Sequence, residues 1–434
     1  MTVICIGYFD KFSRYFLDIE RHLKNNHDVS INFKIYSIHF SGFLYTLIRL
    51  KPSSWISFKA WCLAYIKRKY YLEIISQSNT YKGLVYEDYL SFHKGLNKNI
   101  NQNKLRLQAL AYIDLFDKAY RSNRPDYLLA IGDSRLCIEI SVALAKLKKI
   151  KIYYIEQGPF NTTFFDDKGV NANLSFRDRI DTIKNLNEKS NAKTEIDTDS
   201  KKYNRSLIYR GFDMLLMKLF QQTALYPPDI KYTDVNSYRK YRNFDLNKLS
   251  TPKKDKTFLL ILQVPQDVNM INHSTIFNSH FEILKSVHSN LPKGAKVIVR
   301  EHPLYINKYE NELYDYISKH NIIIDNLTPL TNAIDMADVV VVNNSTVGIQ
   351  SIFRYKTVVV VGNAFYDNEK ICLKLTHKDQ IKTILKQALT HQTNTTEIDS
   401  FKNVLFSTVL LNGSITDKDL KSSKHIANHL LADY

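Results

Sequence analysis

One alternation governs what this chain can fold into, and it occurs twice. Short apolar runs stop at a glycine or polar residue and lead into stretches with helical apolar spacing. VICIG (3–7) leads into DKFSRYFLDIERHL, and YLLAIGD (127–133) into SRLCIEISVALAKLKK; NFKIYSI (32–38) and KIYYIEQG (151–158) read as further strands. The pattern restarts with TFLLILQV (257–264), AKVIVREHP (295–303), NIIID (321–325), DVVVVNNST (338–346) and TVVVVG (357–362), with helices expected at 277–291, 329–337, 347–355 and 381–389. Apolar strands separated by helices build parallel sheets covered on both faces. A helical insertion is expected at 55–78 and 83–122, ended by Arg124-Pro125. Pro227-Pro228 opens a polar stretch, 228–256, that separates the two series. The expected fold class is α/β, with two Rossmann-like domains facing a central cleft. The expected division is 1–240, a linker at 241–256, a second domain at 257–414, and a terminal helix at 415–434 packing back.

At 434 residues the chain exceeds one ordinary core. Glycine is scarce, at 12, and neither GxGxxG nor GxxxxGK[ST] is present, which argues against a glycine-rich nucleotide loop. The four cysteines form no CxxC pair and read as free thiols of a reducing compartment. With no signal-peptide pattern and no run of about 18 or more apolar residues, the expected location is the cytoplasm.

A net charge of +17 attracts nucleic acid, anionic lipid or anionic substrates alike. No nucleic-acid module is visible, so nucleic acid is not an expected partner. Residues 41–75 interleave aromatics with Arg49, Lys51, Lys59, Lys67, Arg68 and Lys69. They suit peripheral contact with an anionic inner membrane. The commoner arrangement for such a pattern is a pair of core-packing helices with solvated lysines. Asp197-Thr198-Asp199 matches a metal-holding DxD pattern but lacks a preceding strand, so it reads as a solvated loop and no metal is expected.

In open α/β sheets ligands bind at the carboxyl ends of the strands. Those exits carry GYFD (7–10), GDSR (132–135), EQG (156–158), QVPQD (263–267), REHP (300–303) and NNSTVG (343–348). In NNSTVG, Ser345 and Thr346 open a helix whose first N–H groups suit a phosphate, although Asn344 or Ser345 as a plain cap is the commoner arrangement. In REHP, Pro303 stops the strand and holds His302 at the rim, where an imidazole can donate to a phosphate. QVPQD places Gln263 and Asp267 at another exit, and Asp267 is either a turn residue or a catalytic carboxylate.

The stretch EQGPFNTTFFDDKGVNANLSFRD (156–178) is far richer in acids, amides and hydroxyls than a connection needs. It resembles the signature loop of bacterial capsule-polysaccharide synthesis proteins, the retaining β-Kdo transferases (Kdo is 3-deoxy-manno-octulosonic acid). QVPQD, REHP and NNSTVG follow in that family's order, so the resemblance covers roughly 125–365. It implies a GT-B-like fold, with an acceptor domain followed by a CMP-sugar domain. It also implies CMP-β-Kdo as donor, a lipid-linked or oligosaccharide acceptor, no cofactor and no metal.

The implied donor site comprises Gln263, Arg300, Glu301, His302, Pro303, Asn344, Ser345, Thr346 and Gly348. Retention implies a covalent glycosyl-enzyme, with Asp267 as nucleophile and the loop carboxylates as alternatives. Glu156 would be the general base. The loop residues Gln157, Gly158, Asp166, Asp167, Gly169, Asn171 and Ser175 would shape the acceptor side, with either aspartate matching the family acid. Residues 41–122 match no known module and would choose the acceptor. The rival readings are an inverting sialyltransferase-like enzyme, a CDP-polyol phosphotransferase, and a non-catalytic polyanion-binding protein.

Overall fold

The computed structural model describes residues 1–25, 29–178, 200–220, 223, 225, 227, 229 and 255–434. Asp197-Thr198-Asp199 and most of the expected linker lie outside the described residues. The chain divides into two compact units, the first Met1–Val170, Ala192–Tyr232 and Phe406–Tyr434, the second Asn171–Asn191 and Thr233–Leu405.

Unit one begins with β1 (Thr2–Gly7), α1 (Asp10–Lys24), β2 (Asn32–Ser37), α2 (Phe40–Leu47) and β3 (Ser53–Trp55). The helical insertion follows, but in pieces. It comprises α3 (Ile56–Ile66), α4 (Arg68–Gln77), a hairpin of β4 (Thr80–Tyr81) and β5 (Leu84–Val85), then α5 (Ser91–Leu96) and α6 (Gln102–Asn123). The first expected helical stretch, 55–78, breaks at Lys67, and the second, 83–122, is α-helical only from Ser91 and is interrupted at 97–101. Between them Lys82 and Gly83, both at positive φ (48° and 84°), make the turn of the β4–β5 hairpin. Asn101 caps α6 by accepting the Lys104 N–H, and Arg124 at φ 44° ends it.

The unit continues with β6 (Tyr127–Ile131), α7 (Leu136–Leu147), β7 (Lys151–Gln157), β8 (Thr162–Asp166) and α8 (Leu207–Phe220). The crowded loop is thus a hairpin in its first half. β8 runs antiparallel to β7, and Phe160 and Asn161 take φ of 55° and 58° in the turn between them. A Cβ on Gly158 would stand 2.4 Å from the Thr162 hydroxyl, so the turn tolerates only glycine there.

Unit two holds β9 (Lys256–Ile261), α9 (Val268–Ile271), α10 (His280–Ser289), β10 (Ala295–Arg300), α11 (Asn311–Lys319), β11 (Ile323–Ile324) and α12 (Leu330–Met336). After these come β12 (Val339–Val342), α13 (Thr346–Ile352), β13 (Thr357–Val360), β14 (Leu373–Lys374), α14 (Ile381–Ala388) and α15 (Thr395–Thr408). The chain then returns to unit one with β15 (Leu410–Asn412) and α16 (Lys421–Asp433).

Among the described residues, the first sheet has seven strands in the order β15-β8-β7-β6-β1-β2-β3, parallel from β7 to β3 and antiparallel at β8 and β15. The second has six in the order β11-β10-β9-β12-β13-β14, all parallel. Each is a doubly wound, Rossmann-like sheet, so the expected GT-B-like pair of α/β units is present. The terminal helix α16 packs on α1, where the Tyr15 and Ser422 hydroxyls meet at 2.8 Å. Separate apolar cores fill the units. Phe16 and Ile19 of α1 pack with Ile426 of α16, while Leu260, Val299 and Val341 of the second sheet belong to the core of unit two.

Candidate functional site

Unit two brings three exits together because β9 lies between β10 and β12, with Ile261 in register with both Arg300 and Val342. Just beyond, buried Gln263 donates from Nε2 to Asn344 Oδ1 at 2.7 Å, and Asn344 donates from Nδ2 to the Asn269 carbonyl at 2.8 Å. The Gln263 N–H donates to Nε2 of buried His280 at 3.2 Å. Burial holds His280 down at about 3, so it stays neutral and can accept that bond.

Asp267 caps α9, accepting the Val268 N–H at 2.7 Å through Oδ1 and the Asn269 side chain at 3.3 Å through Oδ2. His302 is half-buried; its N–H donates to the Tyr309 hydroxyl at 2.9 Å, and its Nδ1 accepts the Leu304 N–H at 3.2 Å. An accepting Nδ1 leaves the ring proton on Nε2. Burial lowers the His302 pKa while the charge of Asp267 opposes that shift, and Asp267 also acts on Tyr305. A carboxylate and an imidazole N–H therefore share one rim.

The other donor-side residues have defined partners. Arg300 donates to the Asp325 carbonyl at 3.1 Å. Glu301 is buried and accepts from Asn326 at 2.7 Å, from the Asn307 N–H at 3.0 Å and from the Tyr314 hydroxyl, so it ties the loop rather than facing a ligand. Pro303 and Thr346 are exposed, while Ser345 caps α13 through the Val347 N–H at 3.3 Å. Gly348 has a packing cause, because a Cβ there would stand 2.2 Å from the Tyr366 hydroxyl, which bonds the Ser345 carbonyl.

Unit one assembles a second, more charged cluster at its own exits, where β7, β6, β1 and β2 are neighbours. Glu156 ends β7 and accepts the Gln157 N–H at 2.9 Å; its other oxygen and the Tyr8 hydroxyl both flank Gly132. Lys11, at the start of α1, has its pKa lowered by burial, with Glu156 acting against that shift. The Arg135 guanidinium sits 5.9 Å from the Tyr8 ring centre, and Arg205 sits 4.5 Å from that of Phe9. Burial, reinforced by both arginines, holds His39 down at about 3.

Arg205 pairs with buried Asp10 and, at 3.0 Å, with Asp213. Asp133 anchors the loop beyond β8 by accepting the Val170 N–H at 3.1 Å. Burial, then Asp133 and Asp229, push Glu139 up to about 8. Buried Asp229 accepts from the Tyr112 hydroxyl at 2.9 Å and the Cys137 N–H at 3.2 Å.

The two loop aspartates separate clearly. Asp166 is buried and accepts the Lys168 and Gly169 N–H groups at 2.8 and 3.1 Å, a turn-forming role, whereas Asp167 is exposed. Gln157 is exposed, Ser175 is buried, and Asn171 takes φ 54°. Asn171 and Ser175 belong to unit two, Glu156 to Gly169 to unit one. Lys11, Arg135, Arg205 and His39 escaped sequence reasoning as individuals, although GYFD and GDSR marked two of their exits. Among the described residues, no three His, Cys, Asp or Glu groups converge as metal ligands.

The family model described as "Capsule polysaccharide biosynthesis protein" matches residues 126–414. The Escherichia coli capsule polysaccharide export protein KpsS is 28% identical over 131 residues, a match that spans 28% of this chain and 34% of that protein. Among solved structures, the Thermosulfurimonas dismutans KpsC β-Kdo 2,7 transferase aligns over 70% of this chain and 97% of its own, at 14% identity and a TM-score of 0.36. The Neisseria meningitidis UDP-GlcNAc 2-epimerase aligns over 100% of both chains at 11% identity and a TM-score of 0.35. Both structural likenesses are distant.

Proposed function

The chain belongs to the capsule polysaccharide biosynthesis protein family, and we propose that it is a glycosyltransferase moving Kdo from CMP-β-Kdo to a saccharide acceptor in capsule or O-antigen assembly. The observation that supports this best is the placement of Asp267 and His302 after adjacent strands of unit two, where the Asp267 charge acts on the His302 ring. The reading includes a lipid-linked or oligosaccharide acceptor and peripheral contact with an anionic membrane.

In the proposed reaction an Asp267 oxygen attacks the anomeric carbon of Kdo as its bond to the CMP phosphate breaks. The Nε2–H of His302 donates to the departing phosphate oxygen. The acceptor hydroxyl then attacks the same carbon, its proton passes to Glu156, and the Asp267 carboxylate is released. In unit one, the cations Lys11 and Arg135 near Glu156 suit an anionic saccharide. The leaving group is a nucleoside monophosphate, whose charge a hydrogen-bond donor can offset without a metal.

The test is CMP release by the purified chain with CMP-Kdo made in situ, beside CMP-sialic acid, UDP-sugars and CDP-glycerol, with and without chelator. Turnover of CMP-Kdo alone, unaffected by chelator and lost in Asp267→Ala, is expected. Intact mass should then show a Kdo adduct in Glu156→Gln and none in Asp267→Ala. The reverse pattern would exchange the two roles, and turnover without any adduct would mean single displacement. A chain that turns over another donor instead would sink the Kdo reading.

A further inference from the structure

Helix α8 (Leu207–Phe220) is inverted relative to an ordinary surface helix. Its one fully buried residue is an acid, Asp213, which accepts the Ser41 N–H at 2.9 Å and pairs with Arg205. Leucine, isoleucine and methionine instead face outward, with Leu207 80%, Ile208 69%, Met214 56%, Leu215 53% and Leu219 60% exposed. A soluble helix buries such residues, and a contiguous apolar surface of this kind marks a contact site.

The face continues onto neighbouring elements. The Tyr209 ring lies 5.7 Å from that of Tyr45 on α2, and beyond it α2 ends in exposed Leu47, Ile48 and Leu50. Phe212 meets Phe40 at 5.9 Å, and Phe220 meets Trp61 at 5.2 Å on α3, which ends in exposed Tyr65 and Ile66. A Cβ at Gly211 would meet nothing within 4 Å.

Charge points to one occupant. Arg210 and Lys218 are exposed on α8, and Arg49 and Lys51 flank the Leu50 tip. The sole acid on α8 is the buried one, and residues 41–75 contain a single acid, Glu73. Tyr45, Arg49 and Lys51 also wall a groove of about 1100 Å³ to which Arg21, Lys421 and Lys424 add cations against two acids, Asp18 and Asp419, Asp18 pairing with Arg21 at 2.6 Å. Apolar side chains ringed by cations and aromatic rings match the interface of an anionic bilayer, where acyl chains take the leucines and headgroup phosphates take the cations. A second copy would set the same cations against one another.

We propose that the α8 face, with the ends of α2 and α3, docks unit one on an anionic lipid surface. This rests on the membrane contact included in the proposed function and names its surface, while it does not depend on the donor chemistry. The experiment is co-sedimentation of the full chain with vesicles of phosphatidylcholine, alone or with about a third phosphatidylglycerol. Binding to the anionic vesicles that weakens with added salt is expected. The pair Leu215→Asp/Leu219→Asp should weaken it at least about tenfold, and Arg210→Glu/Lys218→Glu about tenfold or more.

Both variants should keep the wild-type melting temperature, since the altered side chains are exposed. No binding, or equal binding to neutral vesicles, would overturn the proposal. So would a several-degree loss of melting temperature in Leu215→Asp/Leu219→Asp, which would mean that the chain itself covers the face. A dimer that this pair dissociates, in a chain that ignores vesicles, would assign the face to a second copy.

Discussion

The two sets of strand exits use opposite chemistry on the same scaffold. In unit one they gather Lys11, Arg135, Arg205, Glu156 and Asp133, charges drawn from three strand ends and from residue 205, and each cation lies near an acid or an aromatic face. In unit two they gather Gln263, Asn344 and Asn269 in a web of neutral hydrogen bonds, and one carboxylate and one imidazole stand at its rim. A charged cluster is held by pairing and fails badly when one member is lost. A neutral web fails by smaller steps. The second arrangement suits a platform that must present a few reactive groups without moving, the first a surface whose sign selects what approaches.

That contrast can be broken by experiment. The largest effect should fall on turnover: Asp267→Ala is expected to lose on the order of a thousandfold or more in CMP release, while leaving the fold intact. Retained turnover would remove the reactive rim from unit two. In unit one, Arg205→Met leaves Asp10 and Asp213 buried without their cation, and chemical denaturation should show a loss of about 3–5 kcal/mol. The matching change in unit two, Gln263→Leu, strands the Asn344 carbonyl and should cost about 1–3 kcal/mol. Equal losses would erase the distinction.

A third comparison concerns packing beside the web. Gly348→Ala drives a methyl against the Tyr366 hydroxyl and should cost about 1–3 kcal/mol, partly recovered by Tyr366→Phe, which removes the clashing oxygen. The remaining effect is with pH. His39 and His280 are held near 3 in the folded chain, against about 6.5 when unfolded. Their neutral forms favour folding fully above about pH 6.5, and that contribution is lost as pH falls toward 3, because the unfolded chain binds protons first. Each adds a slope of at most about 1.4 kcal/mol per pH unit. Replacing either with asparagine should flatten the stability profile in that window, and an unchanged profile would mean the ring is already charged.

The strands that were legible were those whose residues leave no other reading. Val339–Val342 is buried at every position and is all valine. Thr162–Asp166 is also buried throughout, yet it read as loop, because GPFN before it and DDKG after it are turn chemistry and its partners come from elsewhere. β3 and β15, at three residues each, exist through their neighbours rather than through any pattern of their own.

The site divides the same way. Asp267, His302 and Glu156 sit where an apolar run stops, so position alone marked them. Lys11 is the first residue past GYFD, and nothing local sets it apart from any other surface lysine. Arg205 meets Asp10 across 195 positions of sequence, a pairing no window can contain. Glu301 and Gly348 also sit at exits, and there hydrogen bonds to Asn326 and Tyr314, and packing against Tyr366, supply structural reasons for their identity that position alone does not show.

The return of the chain to unit one fixes the order in which it can be completed during synthesis. β15, which covers the outer edge of β8, and α16, which covers Tyr15 and Ile19, emerge from the ribosome only after every residue of unit two. Domains ordinarily mature from the N-terminus onward. Here the second unit can finish while the first still shows an open strand edge and a bare apolar helix face, so the nascent first unit is the stage most exposed to aggregation and most in need of a chaperone.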